Sequence, residues 1–182
     1  MKLKKARLIA IPALITLLAG CSAAQMPDKM PFGGKNSVAY SQQLWDSLST
    51  ARLAGPNAKA DGVYKGTHPH GAMLETLYGK VSVNGHEGDV VVKRNYGGKN
   101  ITAADVSANR AKYLKAVTVM FKREDGYDSA NQNWYWAKFK PDGSLHTNPK
   151  GMMLAGRVAK GMPVGCISCH KSAPGGDYLF TK

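Results

Sequence analysis

Of 182 residues only three are cysteine, and acid is scarce: 12 Asp and Glu stand against 25 Lys and Arg. Three thiols cannot build a disulfide-stapled scaffold, which needs several pairs. After the first twenty residues no apolar run approaches the roughly 20 residues that cross a hydrocarbon core. No internal repeat and no glycine period is visible, which excludes collagen-like and coiled-coil designs. With 43% apolar residues the chain can nevertheless bury a core. At this length one modest globular domain is expected.

What is present starts at the N-terminus. Met1 to Arg7 is cationic, and Leu8 to Leu18 is apolar except for Pro12 and Thr16, the pattern of an export signal over residues 1–20. The segment Leu18-Ala-Gly-Cys21 resembles a lipobox, in which the cysteine is acylated and becomes the new N-terminus. Two or three acyl chains hold a protein on a membrane where one binds marginally. Cys21 is therefore the expected lipid anchor, and Ser22 after it implies sorting to the outer membrane, facing the periplasm. Loss of residues 1–20 removes four cations and no acid, leaving a formal charge of +9. Nucleic acid is not the expected partner of an exported lipoprotein, and no basic run is interleaved with stacking aromatics. Residues 138–182 hold seven cations against two acids, a charge that would steer an acidic electron-transfer partner.

With Cys21 assigned to lipid, Cys166 and Cys169 remain, in Cys166-Ile-Ser-Cys169-His170. This is the C-x-x-C-H pattern of covalent c-type haem attachment. Two thiols three positions apart reach the two vinyl groups of one porphyrin, and the adjacent imidazole ligates iron from the proximal side. One haem c per chain is expected, held by Cys166 and Cys169 with His170 on the metal. A thioredoxin-type dithiol would need a preceding strand and a helix opening at the first cysteine; Gly161-Met-Pro-Val-Gly165 precedes it instead. A structural zinc site would need a second Cys or His pair at finger spacing.

Residues 21–36 are rich in Pro, Gly and small polar side chains and read as a tether before a haem domain over 37–182. Asn36 or Ser37 would cap a helix whose Val38, Ser41, Leu44, Trp45, Leu48 and Ala51 form an apolar stripe, ended by Gly55-Pro56. Strands are expected over 62–67, 72–83 before Asn84-Gly85, 90–96, 115–122 and 134–140, with a second short helix over 102–114. The fold class is α+β, mainly β. In the strand 134–140, Trp134, Trp136 and Lys138 face one side and Tyr135, Ala137 and Phe139 the other, so one face would fill the core and one would meet the haem.

A domain rich in strands that closes with Trp134-Tyr-Trp-Ala-Lys-Phe139, a Pro-Asp-Gly turn, Cys-x-x-Cys-His and the tail Asp177-Tyr-Leu-Phe180 resembles the cytochrome P-460 and cytochrome c′-beta family. Gly66-Thr-His-Pro-His-Gly71 and Gly88 to Tyr96 add to the likeness. The resemblance implies a large antiparallel sheet, often a homodimer, a proximal histidine and a distal haem face open to hydroxylamine or nitric oxide. Some members oxidise hydroxylamine and carry a lysine crosslinked to the porphyrin; others lack the crosslink and bind nitric oxide. Lys93 stands at about the place of that lysine, with Lys80 a weaker candidate.

A second axial ligand would make the protein a simple electron carrier, while an open site would bind a small molecule as an enzyme, sensor or scavenger. Met73, Met120, Met152, Met153, Met162, His68, His70, His86 and His146 can all ligate iron, although core packing or a hydrogen-bonded surface place is the ordinary role of each. Glu124, Asp125 and Asp128 form an acidic loop that would relay protons if it met the distal face, or simply a solvated turn. Tyr178, Leu179 and Phe180 would fold back over the proximal edge.

Overall fold

A computed structural model describes residues 28–180. The leader 1–20 and Cys21 lie outside the described residues. Helix α1 (Lys35–Thr50) buries Tyr40, Ser41, Leu44, Trp45 and Leu48 on one stripe, the three-and-four spacing of an amphipathic helix. Neither Asn36 nor Ser37 caps it. Its N-cap is Gly34, and the carboxylate of Asp28 accepts from the backbone N–H of Asn36 at 3.1 Å and of Ser37 at 2.9 Å. An acid outside the helix thus satisfies donors that have no partner within it. Gly34 is needed for this approach, because a Cβ there would stand 2.3 Å from the Asp28 carboxyl carbon.

Residues 28–36 are therefore not a free tether. Phe32 is buried and bridges to Gly156, and the Pro31 carbonyl accepts from the N–H of Arg157. An aromatic side chain in a Pro- and Gly-rich run found a place in the core, which composition alone did not indicate.

Six antiparallel strands follow in the order of the chain: β1 (Tyr64–Lys65), β2 (Met73–Val83), β3 (His86–Tyr96), β4 (Leu114–Lys122), β5 (Trp134–Phe139) and β6 (Ala155–Gly156). Asn84 and Gly85, both at positive φ, make a two-residue turn that pairs Val83 with His86. The first strand is shorter than 62–67, and β3 starts four residues earlier than Val90, because the tight turn propagates pairing to His86. The helix expected over 102–114 is two: α2 (Ala103–Ala108), closed by a capping box of Thr102 and Asp105, and α3 (Arg110–Tyr113) after a break at Asn109. A last short helix, α4, spans Cys166–His170.

The period of two gives the sheet two different faces. One face, with Leu77, Val81, Val90, Val92, Val117, Val119, Phe121, Tyr135 and Phe139, packs under α1 as the main core. The second face collects Met120, Trp134 and Trp136 with Phe32, Val158, Ala159, Ile167 and Tyr178. The sheet is thus covered on both sides, by α1 on one and by the C-terminal segment on the other.

A buried charge cluster ties the open ends of β2 and β3 together. Glu75, fully buried, accepts from Arg94 Nη1 at 2.8 Å, Tyr96 Oη at 2.6 Å, Arg110 Nε at 3.0 Å and the Asp61 N–H at 2.6 Å. A buried carboxylate without such partners would cost several kcal/mol. Nothing in the linear pattern marked Glu75, whose neighbours in the cluster are 14 to 35 residues away.

Candidate functional site

The second sheet face is the floor of a cleft. Strand register places Tyr78, Val91, Met120 and Trp136 in one row across the sheet, and Thr76, Lys93, Thr118 and Lys138 in the next. All of these except Thr76 line the cleft, together with Val119 and Ala137 between them, and His70, Cys166, His170, Leu179 and Phe180 form its walls. Its enclosed part is about 50 Å³, and it opens into a wider concavity at the surface. Trp136 and Lys138 face this cleft while Tyr135 and Phe139 belong to the core, as the alternation predicts, and the core residue Ala137 also borders the cleft.

α4 supplies the motif. Cys166 and Cys169, three apart on one turn, share a side of the helix. Both are free thiols; Cys166 lines the cleft and Cys169 is exposed. A helix does open at Cys166, but Gly161 to Gly165 ahead of it is turn and not strand. Burial pushes the Cys166 thiol up to about 11, against a weaker pull from Lys138. A nucleophilic redox dithiol needs the opposite shift. Among the described residues no three His, Cys, Asp or Glu stand together as a metal-ion cage.

His170 is buried, 8% exposed, and its Nδ1–H donates to the Tyr178 carbonyl at 2.7 Å. That bond leaves Nε2 as the free nitrogen, with its tautomer set by the tail. Burial holds the imidazole below its usual value against the opposing Tyr178 carbonyl, with a smaller contribution from the Lys93 charge. A neutral imidazole is the form that ligates a metal. Trp136, at 4.9 Å between ring centres, and Phe180, at 5.3 Å, each pack edge-on against His170. Trp136 Nε1 is buried with no hydrogen-bond partner among the described residues, a donor that a group entering the cleft could use. Two free thiols, a neutral buried imidazole, an aromatic wall and an unpaired indole N–H fit a thioether-bound haem.

The remaining sequence candidates separate cleanly. Lys93 lines the cleft, and burial lowers its ammonium below the usual lysine value. Lys80 does not: it is exposed and paired with Asp89 at 2.9 Å. Of the alternative iron ligands only His70 and Met120 reach the cleft. His86 Nε2 donates to the Lys122 carbonyl and His146 Nε2 to that of Lys115. Met153 and Met162 are exposed. The acidic loop is structural: Glu124 pairs with Arg123, and Asp128 with Lys160 and Asn131, and none of them lines the cleft. His70 was one name among nine in the sequence, and only the loop that carries it singles it out. Trp136's unpaired indole was not foreseen at all.

No curated protein and no solved structure matches the chain. A family model, Cytochrome P460, matches residues 57–181, more than half of the chain and including α4 and the whole floor of the cleft. By that match, over a segment that includes the thiols and the buried imidazole, the chain belongs to the cytochrome P460 family.

Proposed function

We propose that this chain is an exported, lipid-anchored cytochrome with one covalently attached haem c, which binds or oxidises a small nitrogen compound, hydroxylamine or nitric oxide. The observation that carries the reading is the convergence of Cys166 and His170 on one apolar cleft, with His170 Nδ1 already committed to Tyr178 and Nε2 free. When bound, the haem supplies one-electron exchange between ferric and ferrous iron. Cys166 and Cys169 would hold it through thioether bonds, and His170 Nε2 would ligate its iron. Trp136, Val91, Met120 and Leu179 give the cleft a largely apolar lining, which raises the weight of every charge inside it.

Lys93 is the catalytic candidate. Its amine, desolvated on the cleft floor, is the group that would bond the porphyrin edge. That bond replaces one N–H and one C–H, and the two electrons and two protons released would go to a peroxide, which becomes water. The basic charge of the chain favours an acidic protein as electron acceptor. Residues 1–20 are the export leader and Cys21 the acylated anchor, placing the domain on the periplasmic side of the membrane.

Expression with a working haem-ligation apparatus tests the core of this reading. The denatured protein should retain one haem per chain, and Cys166→Ala with Cys169→Ala should release it to acid-acetone extraction. A colourless wild-type product overturns the proposal. Hydroxylamine should reduce the ferric protein and turn over with an electron acceptor; binding without turnover would leave a scavenger or sensor. For the anchor, Cys21→Ser should abolish fatty-acid labelling.

A further inference from the structure

The cleft contains a second imidazole with no task in the reading above. His70 lies on the loop between β1 and β2, and its ring centre is 6.0 Å from that of His170, with the two planes at 85°. Unlike the rings of His86 and His146, the His70 ring makes no hydrogen bond among the described residues. Its place is nevertheless built. The Gly66 N–H donates to the Ala72 carbonyl at 2.8 Å, His70 N–H to that of Thr67 at 2.9 Å, and Ala72 N–H to that of Tyr96 at 3.0 Å. Gly71, at φ +120°, passes so close to β3 that a Cβ would stand 2.7 Å from the Tyr96 carbonyl oxygen. Only glycine permits that approach, which carries the neighbouring imidazole over the cleft.

Two imidazoles on opposite sides of one metal, each with a metal–nitrogen distance of about 2.0 Å, have ring centres roughly 6 Å apart. The observed spacing meets that requirement, and crossed planes are compatible with it. We propose that His70 is the second axial ligand of the haem iron in the resting protein, and that it must leave before a small ligand can bind. The inference rests on haem attachment through Cys166, Cys169 and His170. Met120 is the competing donor in the cleft, but it belongs to a strand in the middle of the sheet and is buried there. His70 instead follows three exposed residues, 67 to 69, on a loop outside the paired strands, where a side chain can turn away without disturbing the sheet. A histidine that holds the iron in about nine molecules of ten lowers the apparent affinity for an external ligand about tenfold.

The test uses full-length protein whose haem has first been shown to survive denaturation. Optical and electron paramagnetic resonance spectra of ferric wild type, His70→Ala, His68→Ala and Met120→Leu are then compared. Wild type, His68→Ala and Met120→Leu should be low-spin, His70→Ala high-spin, and added imidazole should restore the low-spin form. Nitric oxide should bind ferrous His70→Ala at least ~10-fold more tightly than wild type. His70→Met should remain six-coordinate with a raised midpoint potential, a result that does not depend on the alanine variant folding. A high-spin wild type, or a low-spin spectrum that persists in His70→Ala and is lost in Met120→Leu, overturns the proposal while leaving haem attachment intact. Absence of covalent haem overturns both, and the denatured-protein assay identifies that case.

Discussion

The Nδ1 of His170 and the backbone carbonyl of Tyr178 are 2.7 Å apart, joined by a hydrogen bond that closes the C-terminal segment over the motif. Tyr178 is anchored in turn, its hydroxyl donating to Asn131 Oδ1 at 3.1 Å, and Asp177 accepts from Trp134 Nε1 at 3.1 Å. The tail is thus the partner that orients the His170 imidazole.

Ending the chain after Asp177 should leave both thioethers intact yet loosen His170. Loss of such a supporting bond typically weakens a metal–ligand contact by about 10–100-fold. The expected result is a ferric spectrum that shifts with added imidazole on the proximal side and a changed midpoint potential. A truncated protein with the full-length spectrum and potential would show that the bond does not position the ring.

Replacing Lys93 by Leu should preserve covalent haem but change its electronic spectrum. If the wild-type haem carries the amine bond, intact mass falls two hydrogens below the sum of chain and haem, and the ferrous band is red-shifted; Lys93→Leu loses both signatures. Lys80→Leu should lose neither, because Lys80 is exposed beside Asp89. An ordinary c-type ferrous spectrum in wild type refutes the crosslink.

Glu75→Ala should cost about 3–5 kcal/mol in urea unfolding, since it leaves Arg94 charged in a buried place with no counter-ion. Glu75→Gln should cost less, as it keeps the shape and part of the hydrogen bonding. An alanine variant within about 1 kcal/mol of wild type would show that water replaces the carboxylate at no penalty.

Stability should fall steeply in alkali. Burial, reinforced by the hydrogen bond to Glu75, pushes Tyr96 up to about 12, and burial pushes Tyr135 well above the ordinary phenol value. Below pH ~10 both folded and unfolded chains keep these protons, so the contribution is fully present. As pH rises from about 10 toward 12, the unfolded chain releases protons that the fold retains, and stability is lost at up to ~1.4 kcal/mol per pH unit for each such tyrosine. Urea midpoints measured through this range check it, and Tyr96→Phe should flatten the slope. A flat profile to pH 12 would contradict the burial of these phenols.

What the linear order determined were features written in adjacent residues. Cys166-x-x-Cys169-His170 is local chemistry on one helical turn, and the strand edges follow from period-two alternation broken by Asn84-Gly85 and Pro141-Asp-Gly. The N-terminal stripe was legible because helix faces repeat every three or four residues. The tertiary structure alone decided the rest. His70 comes within 6.0 Å of His170, a hundred residues away, because a glycine lets one loop run against the end of β3. Asp28 caps α1 from outside, Phe32 turns a presumed tether into core, and Glu75 gathers two arginines and a tyrosine. Alternation tells which residues share a face of a strand, but only the packing of α1 and the C-terminal segment on opposite sides determined which face became core and which became the cleft.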